Sequence, residues 1–397
     1  MKLLFILAAF VVAIVMGRII IPYIMLVTFR KRLFDPVSNR KVHKGIVPRL
    51  GGVAFAPVQC TILTLSVVIM YKFNISEIDT HTSAVLPMFL VLMAGIVLLF
   101  MMGVMDDLVG VSYKWKFVVQ IITASFFPLA GLWINDLYGI LFITYLPDWV
   151  GIPLTIFITV LIINAINLID GIDGLCSGLM IVASITLGTL FLIKGAWLHA
   201  TFAFITAGVL LPFFYYNVFG RTKRHRRIFM GDTGSLTLGY SIAFLAISYT
   251  MNNPYIETFS EGAIVVAFSA VLIPVLDVGR VMLLRFRQGR PVFQPDRNHI
   301  HHKFLRLGIS HRYTMILILA MALFFSVFNI VSVEIMSNNI VLLLDLLIWI
   351  GFHLWLGWIE KRKLKPQAEK AALAQKEDTP PPEKKRSLCV GKVIELK

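Results

Sequence analysis

Long apolar stretches alternate along this chain with short polar ones. Runs of about 17 or more apolar residues, long enough to cross a bilayer as helices, fall at 3–29, 50–71, 83–104, 117–134, 151–168, 175–193, 197–216, 234–251, 261–284, 313–334 and 338–359. The pattern predicts an all-α polytopic integral membrane protein with about eleven transmembrane helices. Only NAINLIDGIDGL (164–175) separates the fifth run from the sixth. The first run opens like a secretory signal, but it continues to Phe29 and meets Arg30-Lys31-Arg32 without a small-residue cleavage site, so it reads as an uncleaved span. Between Gly139 and Pro147 the alternating, aromatic-rich ILFITYL predicts a small hairpin at the membrane surface. The expected division is a transmembrane domain over 1–359 and a charged tail over 360–397, a short helix followed by disorder around a Pro triplet.

Composition agrees with the pattern: 58% of the 397 residues are hydrophobic and 15% charged, with a mean hydropathy of +0.81. A net charge of +15 would suit nucleic acid, but its distribution points elsewhere. The segments after the odd-numbered spans (30–49, 105–116, 217–233, 285–312 and 360–397) hold 32 of the 37 Lys and Arg. By the positive-inside rule those segments face the cytoplasm, which puts the N-terminus outside and the C-terminus in the cytoplasm. The charge therefore reports topology, and no nucleic acid is implied. Cys60, Cys176 and Cys389 are far apart and suggest neither a disulfide framework nor a zinc site.

The polar residues that a membrane protein should avoid all fall on the predicted cytoplasmic side. Asp106 and Asp107 end the third span, where the helix dipole is negative and adjacent carboxylates repel, so the pair needs a cation. Asn167, Asp170 and Asp173 are spaced by three and share one face if their connection is helical, making the hard-oxygen surface that Mg2+ prefers. Helix capping explains one of these acids, but not both plus the Asn. No Lys or Arg occurs from Phe117 through Ile193 to pair with them. Gly231 and Gly234 bracket Asp232 directly before an apolar helix, whose opening N–H groups form an anion site. His299, His301 and His302 lie beside Arg297 and Lys303. Such a loop is either a transition-metal site or a phosphate cradle, and the oxygen-rich, Cys-free surroundings favour the cradle. Asp277 and Arg280 read as a structural intramembrane pair.

Carboxylates, an Asn, a Gly-rich helix start and a basic loop at one membrane face amount to a metal-plus-phosphate site. Phosphoryl transfer needs that combination: positioning, a divalent ion and cations to neutralise developing charge. The seven basic residues of 30–49 add attraction for nucleotide or lipid headgroups.

Six stretches, RKVHKGIVPRLGG, GVMDDL, NAINLIDGIDGL, FMGDTGSLTLGY, PVLDVGRV and NHIHHKFLRLG, occur in this order between residues 35 and 310. Together they resemble the polyprenyl-phosphate N-acetylhexosamine-1-phosphate transferase superfamily (glycosyltransferase family 4), and within it the bacterial undecaprenyl-phosphate GlcNAc-1-phosphate transferase branch. The resemblance implies eleven helices in the bacterial plasma membrane, an active site on the cytoplasmic face, and Mg2+ or Mn2+ as cofactor. It implies a UDP-sugar and undecaprenyl phosphate as substrates, and leaves a homodimer open. By that analogy Asp106, Asp107 and Asp232 are catalytic, while Asp232, Asn167 and Asp107 hold the metal. Substrate binding falls to Asn167, Asp170, Asp173, His299, His301, His302, Lys44 and Arg49. The spelling His-Ile-His-His followed by Lys303 departs from the three consecutive histidines and acid of the phospho-MurNAc-pentapeptide translocases, which argues against a MurNAc-peptide donor. The implied reaction moves N-acetylhexosamine 1-phosphate, GlcNAc-1-phosphate first of all, onto the lipid phosphate with release of UMP. Its product would start a cell-envelope polysaccharide such as O-antigen. The alternatives are the same chemistry on UDP-GalNAc, a UDP-deoxy-amino sugar or UDP-MurNAc-pentapeptide, and, more distantly, a lipid or sugar-phosphate transporter.

Overall fold

The computed structural model describes residues 1–31, 50–73, 80–220, 227–254, 256, 260–291 and 298–377. Lys44, Arg49 and Arg297, like the tail beyond Glu377, lie outside the described residues. The described chain is helical, with α1 Lys2–Arg30, α2 Phe55–Lys72, α3 Thr80–Val109, α4 Tyr113–Leu129, α5 Asp148–Ile169, α6 Leu175–Ile193 and α7 Trp197–Phe219. There follow α8 Gly231–Thr250, α9 Ala263–Ser269, α10 Leu272–Arg287, α11 Ile300–Arg306, α12 His311–Ser332 and α13 Asn338–Glu377. Two compact units result, Met1–Trp349 and Ile350–Lys397; as described, the second is the later part of α13, where the Arg362 guanidinium lies 3.9 Å from the Trp358 ring.

Each of the eleven apolar runs contains a helix. Among the described residues, eight are long and apolar enough to cross a membrane, and a ninth crossing arises if α9 and α10 form one broken span. That pair bends by 81°, so the apolar run at 261–284 is not one straight helix. Pro274 sits in the first turn of α10, where its missing N–H is harmless and its fixed φ favours a new helix start. α4 is short, and α8 opens on the polar turn Gly231-Asp-Thr-Gly-Ser.

The hairpin expected before α5 is present. Leu137 N–H donates to Thr144 O (2.7 Å) and Leu146 N–H to Asn135 O (2.9 Å), around a 3-10 turn at Ile140–Phe142. Asp136 and Tyr145 form an antiparallel bridge.

α8 is the centre of the first unit: every residue from Thr233 to Thr250 is buried. A helix enclosed on all sides offers its hydroxyls few acceptors besides its own carbonyls. Thr237, Ser241 and Thr250 donate to carbonyls four residues back, at 2.7, 2.9 and 2.9 Å. Gln59 of α2 bridges Thr206 of α7 (2.9 Å) and Ser241 of α8 (3.2 Å), a polar tie through apolar surroundings.

Small residues let the other helices approach α8. A Cβ on Gly52 would lie 2.2 Å from Gly234 backbone, and one on Gly103 2.3 Å from the Thr233 Cα. The backbone N–H groups of Gly51 and Gly52 donate to Phe229 O and Met230 O, both at 2.9 Å, so this contact joins the entry of α2 to the entry of α8. Gly52→Ala is expected to cost about 1–3 kcal/mol by overpacking. Thermal unfolding in detergent checks this, and an unchanged midpoint would refute the close approach.

Candidate active site

Asp107 decides where α8 begins. Its Oδ1 accepts the N–H of Asp232 (2.9 Å), and its Oδ2 accepts the N–H and hydroxyl of Thr233 (3.0 and 2.6 Å). The residue before α8, Met230, has no side-chain cap to offer, so the cap comes from the end of α3. A carboxylate at a helix N-terminus also meets the positive end of the macrodipole.

With Asp107 committed there, Asp106 turns the other way. Its Oδ1 accepts the Val111 N–H at 2.7 Å. Lys116, in the first turn of α4, places its ammonium 2.6 Å from Asp106 Oδ2 and 2.6 Å from Asp232 Oδ2. One oxygen from each of Asp106, Asp107 and Asp232 lies within 4.8 Å of the others, an all-oxygen set of the kind that holds a hard divalent cation. Asn167, in the last turn of α5, donates its Nδ2 to Ser235 Oγ (2.8 Å), beside Asp232 on α8. Asn164, one turn earlier, bonds Gln120 Oε1 (2.7 Å) and so ties α5 to the helix that carries Lys116.

The turn after α5 is not helical. Asp170 ends the helix with φ −72° and ψ 57°, and the two aspartates diverge instead of sharing a face. Asp173 pairs with Arg227, which comes from the segment leading into α8. Asn217 staples the same turn to that segment, accepting Gly174 N–H at 2.6 Å and donating to Ile228 O at 2.8 Å. Asp170 has no hydrogen-bond or ion-pair partner among the described residues. Crowding by protein, then the negative charges of Asp232 and Asp107, push its carboxyl up to about 7.

The histidines sit on and before α11. His301 is buried and packs on the acid turn: a Cβ on Gly171 would lie 2.3 Å from its Nε2. Burial, and then its histidine neighbours, lower its pKa to about 3, so it is a neutral imidazole. His302 has its ring 4.2 Å from that of His301. His299, its ring parallel to that of His301 at 5.9 Å, meets Asp277, with Nδ1 at 2.8 Å from Oδ2.

Asp106, Asp107, Asp232, Asn167 and Asp170 thus converge where α3, α5 and α8 meet, with His301 against the same turn. Lys116 and Arg227 are the cations that sequence reading missed, having counted both only as topological charge. A signal was present for one of them: Lys116 is the last cation before the stretch that has none.

A raised carboxyl pKa in the folded chain contributes stability that is complete below the unfolded value and is lost as pH rises through the folded one. Asp170→Asn is therefore expected to raise the unfolding midpoint at pH 8 without divalent ions. The gain should shrink as pH falls through 7 toward 4, as read by thermal scans in detergent across pH.

Comparison with known proteins covers the part of the chain that carries the acid cluster. The sequence profile of glycosyl transferase family 4 matches residues 89–250, the segment from α3 through α8. The chain is 32% identical over 333 residues, 83% of its length and 86% of the relative's, to a probable undecaprenyl-phosphate N-acetylglucosaminyl 1-phosphate transferase of Bacillus subtilis. It is 30% identical to the undecaprenyl-phosphate alpha-N-acetylglucosaminyl 1-phosphate transferase of Escherichia coli K12, covering 74% of this chain and 75% of the relative. The Yersinia pestis enzyme of that name is 29% identical, over 76% and 77%. With the acid cluster inside the matched segment and most of each relative covered, the chain belongs to glycosyl transferase family 4, among its undecaprenyl-phosphate N-acetylglucosaminyl 1-phosphate transferases.

Proposed function

We propose that this protein transfers N-acetylglucosamine 1-phosphate from UDP-N-acetylglucosamine to undecaprenyl phosphate, releasing UMP and leaving a lipid-diphosphate sugar in the membrane. The observation that carries this reading is the charge balance of the site. Among the described residues four carboxylates, Asp106, Asp107, Asp170 and Asp232, lie together here, Lys116 pairs with two of them, Asp106 and Asp232, and Arg227 is taken by Asp173. Such a site repels a phosphate until a cation joins it, and its oxygen donors suit Mg2+. Asp232, Asp107 and Asp106 would hold the ion, with the amide oxygen of Asn167 alongside, because Asn167 Nδ2 is already engaged by Ser235. When bound, the ion supplies charge stabilisation to the donor diphosphate.

The chain's own residues do the rest. An oxygen of the lipid phosphate attacks the β-phosphorus of the UDP-sugar, the bond to the α-phosphate breaks, and UMP departs with that bridging oxygen. Asp107 holds Asp232 and the α8 N-terminus in place. Asp106, with Oδ1 on the Val111 N–H and Oδ2 on Lys116, holds that ammonium ready for the incoming phosphate. The Lys116 ammonium moves from carboxylate to phosphate oxygen as charge shifts, and Asp170 adds negative charge beside Asp232 and Asp107 that favours a bound cation. The topology that fits has eleven crossings, the N-terminus outside, and the site at the cytoplasmic side of the bacterial plasma membrane. The basic segments after the odd-numbered spans support it, and three of them adjoin α3, α8 and α11.

The test is UMP release with formation of radiolabelled lipid product from UDP-N-acetylglucosamine, undecaprenyl phosphate and Mg2+. Turnover is expected to stop on chelation and to resume with Mg2+ or Mn2+. Asp232→Asn and Lys116→Gln should each lower kcat by roughly 10²–10³-fold, the scale of losing one preorganised charged group. Full activity in both variants would remove the assignment of the site, and absence of product in the wild type would remove the reaction.

A further inference from the structure

The histidine loop is held by a residue that lies outside the acid cluster. Asp277 is fully buried on α10, and its carboxylate gathers three donors. These are Arg280 Nη2 at 2.8 Å, His299 Nδ1 at 2.8 Å, and the Ile300 N–H at 3.0 and 3.1 Å from the two oxygens. The same nitrogen of Arg280 donates to the carbonyl of Asn298. Three successive residues, 298 to 300, are thereby fixed to one turn of α10. A pair that served only the membrane span would need Arg280 alone.

Two consequences follow from elementary chemistry. The carboxylate at the Ile300 N–H caps α11, whose preceding residue, His299, makes no side-chain cap of its own. A carboxylate on one imidazole nitrogen also sets the tautomer, so that His299 donates from Nδ1 and leaves Nε2 for other work. Directly after Ile300, His301 rests on Gly171, next to Asp170. The loop is pinned between α10 and the acid turn.

We propose that Asp277, with Arg280, is a positioning residue for this loop: it fixes His299 as the Nδ1–H tautomer, its ring parallel to that of His301 at 5.9 Å, and sets α11 against the acid turn. The role in turnover rests on the transferase reading above; the clamp itself does not. Asp277→Asn should lower kcat for UMP release by roughly 10- to 100-fold, the usual scale for losing the partner that orients a working histidine. The KM for undecaprenyl phosphate should stay unchanged. In a His299→Gln background the same substitution should add no more than about twofold, because both changes remove one unit. Losses that multiply in the double variant would overturn the proposal. Hydrogen exchange of the full chain in detergent gives a second readout, with amides of 298–306 exchanging faster in Asp277→Asn and those of α10 unchanged. Unaltered exchange at 298–306 would overturn the clamp whatever the activity. If Asp277→Asn does not accumulate in the membrane, Arg280→Gln takes its place in both experiments, and the same outcomes decide. A wild type that releases no UMP counts against the transferase reading, while the exchange measurement still decides the clamp.

Discussion

The bond on which most of this structure depends is the one between Asp107 and the start of α8. A helix buried from its first turn has N–H groups that water cannot reach, and leaving them unmet costs a few kcal/mol in total, at about 1–3 kcal/mol each. Asp107, reaching across from α3, meets two of them and the Thr233 hydroxyl. The bond is possible only because Gly103 brings α3 to within contact of Thr233 backbone. Once it forms, Asp106 must point away, Asp232 must face Lys116, and Ser235 comes within reach of Asn167. Fold and site are therefore one construction. The residue with the clearest structural duty is also a member of the acid cluster.

Electrostatics then explains why the rest of the assembly is so heavily tied together. Like charges crowded at the ends of three helices push those helices apart. The structure counters with two cations, Lys116 from the start of α4 and Arg227 from the entry of α8, and with neutral staples. Asn217 joins the acid turn to the entry of α8, and Gly51 and Gly52 bond the same entry from the other side. The surplus negative charge that remains is concentrated at Asp170, Asp107 and Asp232. The proposed divalent ion would discharge it, so binding of that ion and rigidity of the site are one equilibrium seen from two sides.

Much of the architecture was legible because its physical signals are local. An apolar run is a helix in a membrane whatever surrounds it, since no other backbone arrangement satisfies its own N–H and C=O groups in lipid. The hairpin at 135–146 showed itself in part, since the alternating residues between Gly139 and Pro147 form its turn and its second arm. The break between α9 and α10 did not, because residues on both sides of it are apolar and only Pro274 marks the restart. At the site, the separation of Asp170 from Asp173 turned on a single backbone dihedral at the end of α5, which spacing does not encode.

The sequence by itself determined that the chain is a bundle of apolar helices, and which acids, amide and histidines are out of place among them. It also determined the order of motifs that mark the family. These follow from composition, periodicity and short spacing, which each segment carries alone. Only the tertiary structure decided which acid receives which cation. Lys116 reaches Asp232 across 116 positions of chain, Arg227 answers Asp173, and Asp277 serves the histidine loop 22 residues away as well as its neighbour Arg280. Charges pair by distance through space, and in a folded membrane protein that distance is set by how closely helices pack. The packing here depends on single glycines, whose partners cannot be named until the helices have met.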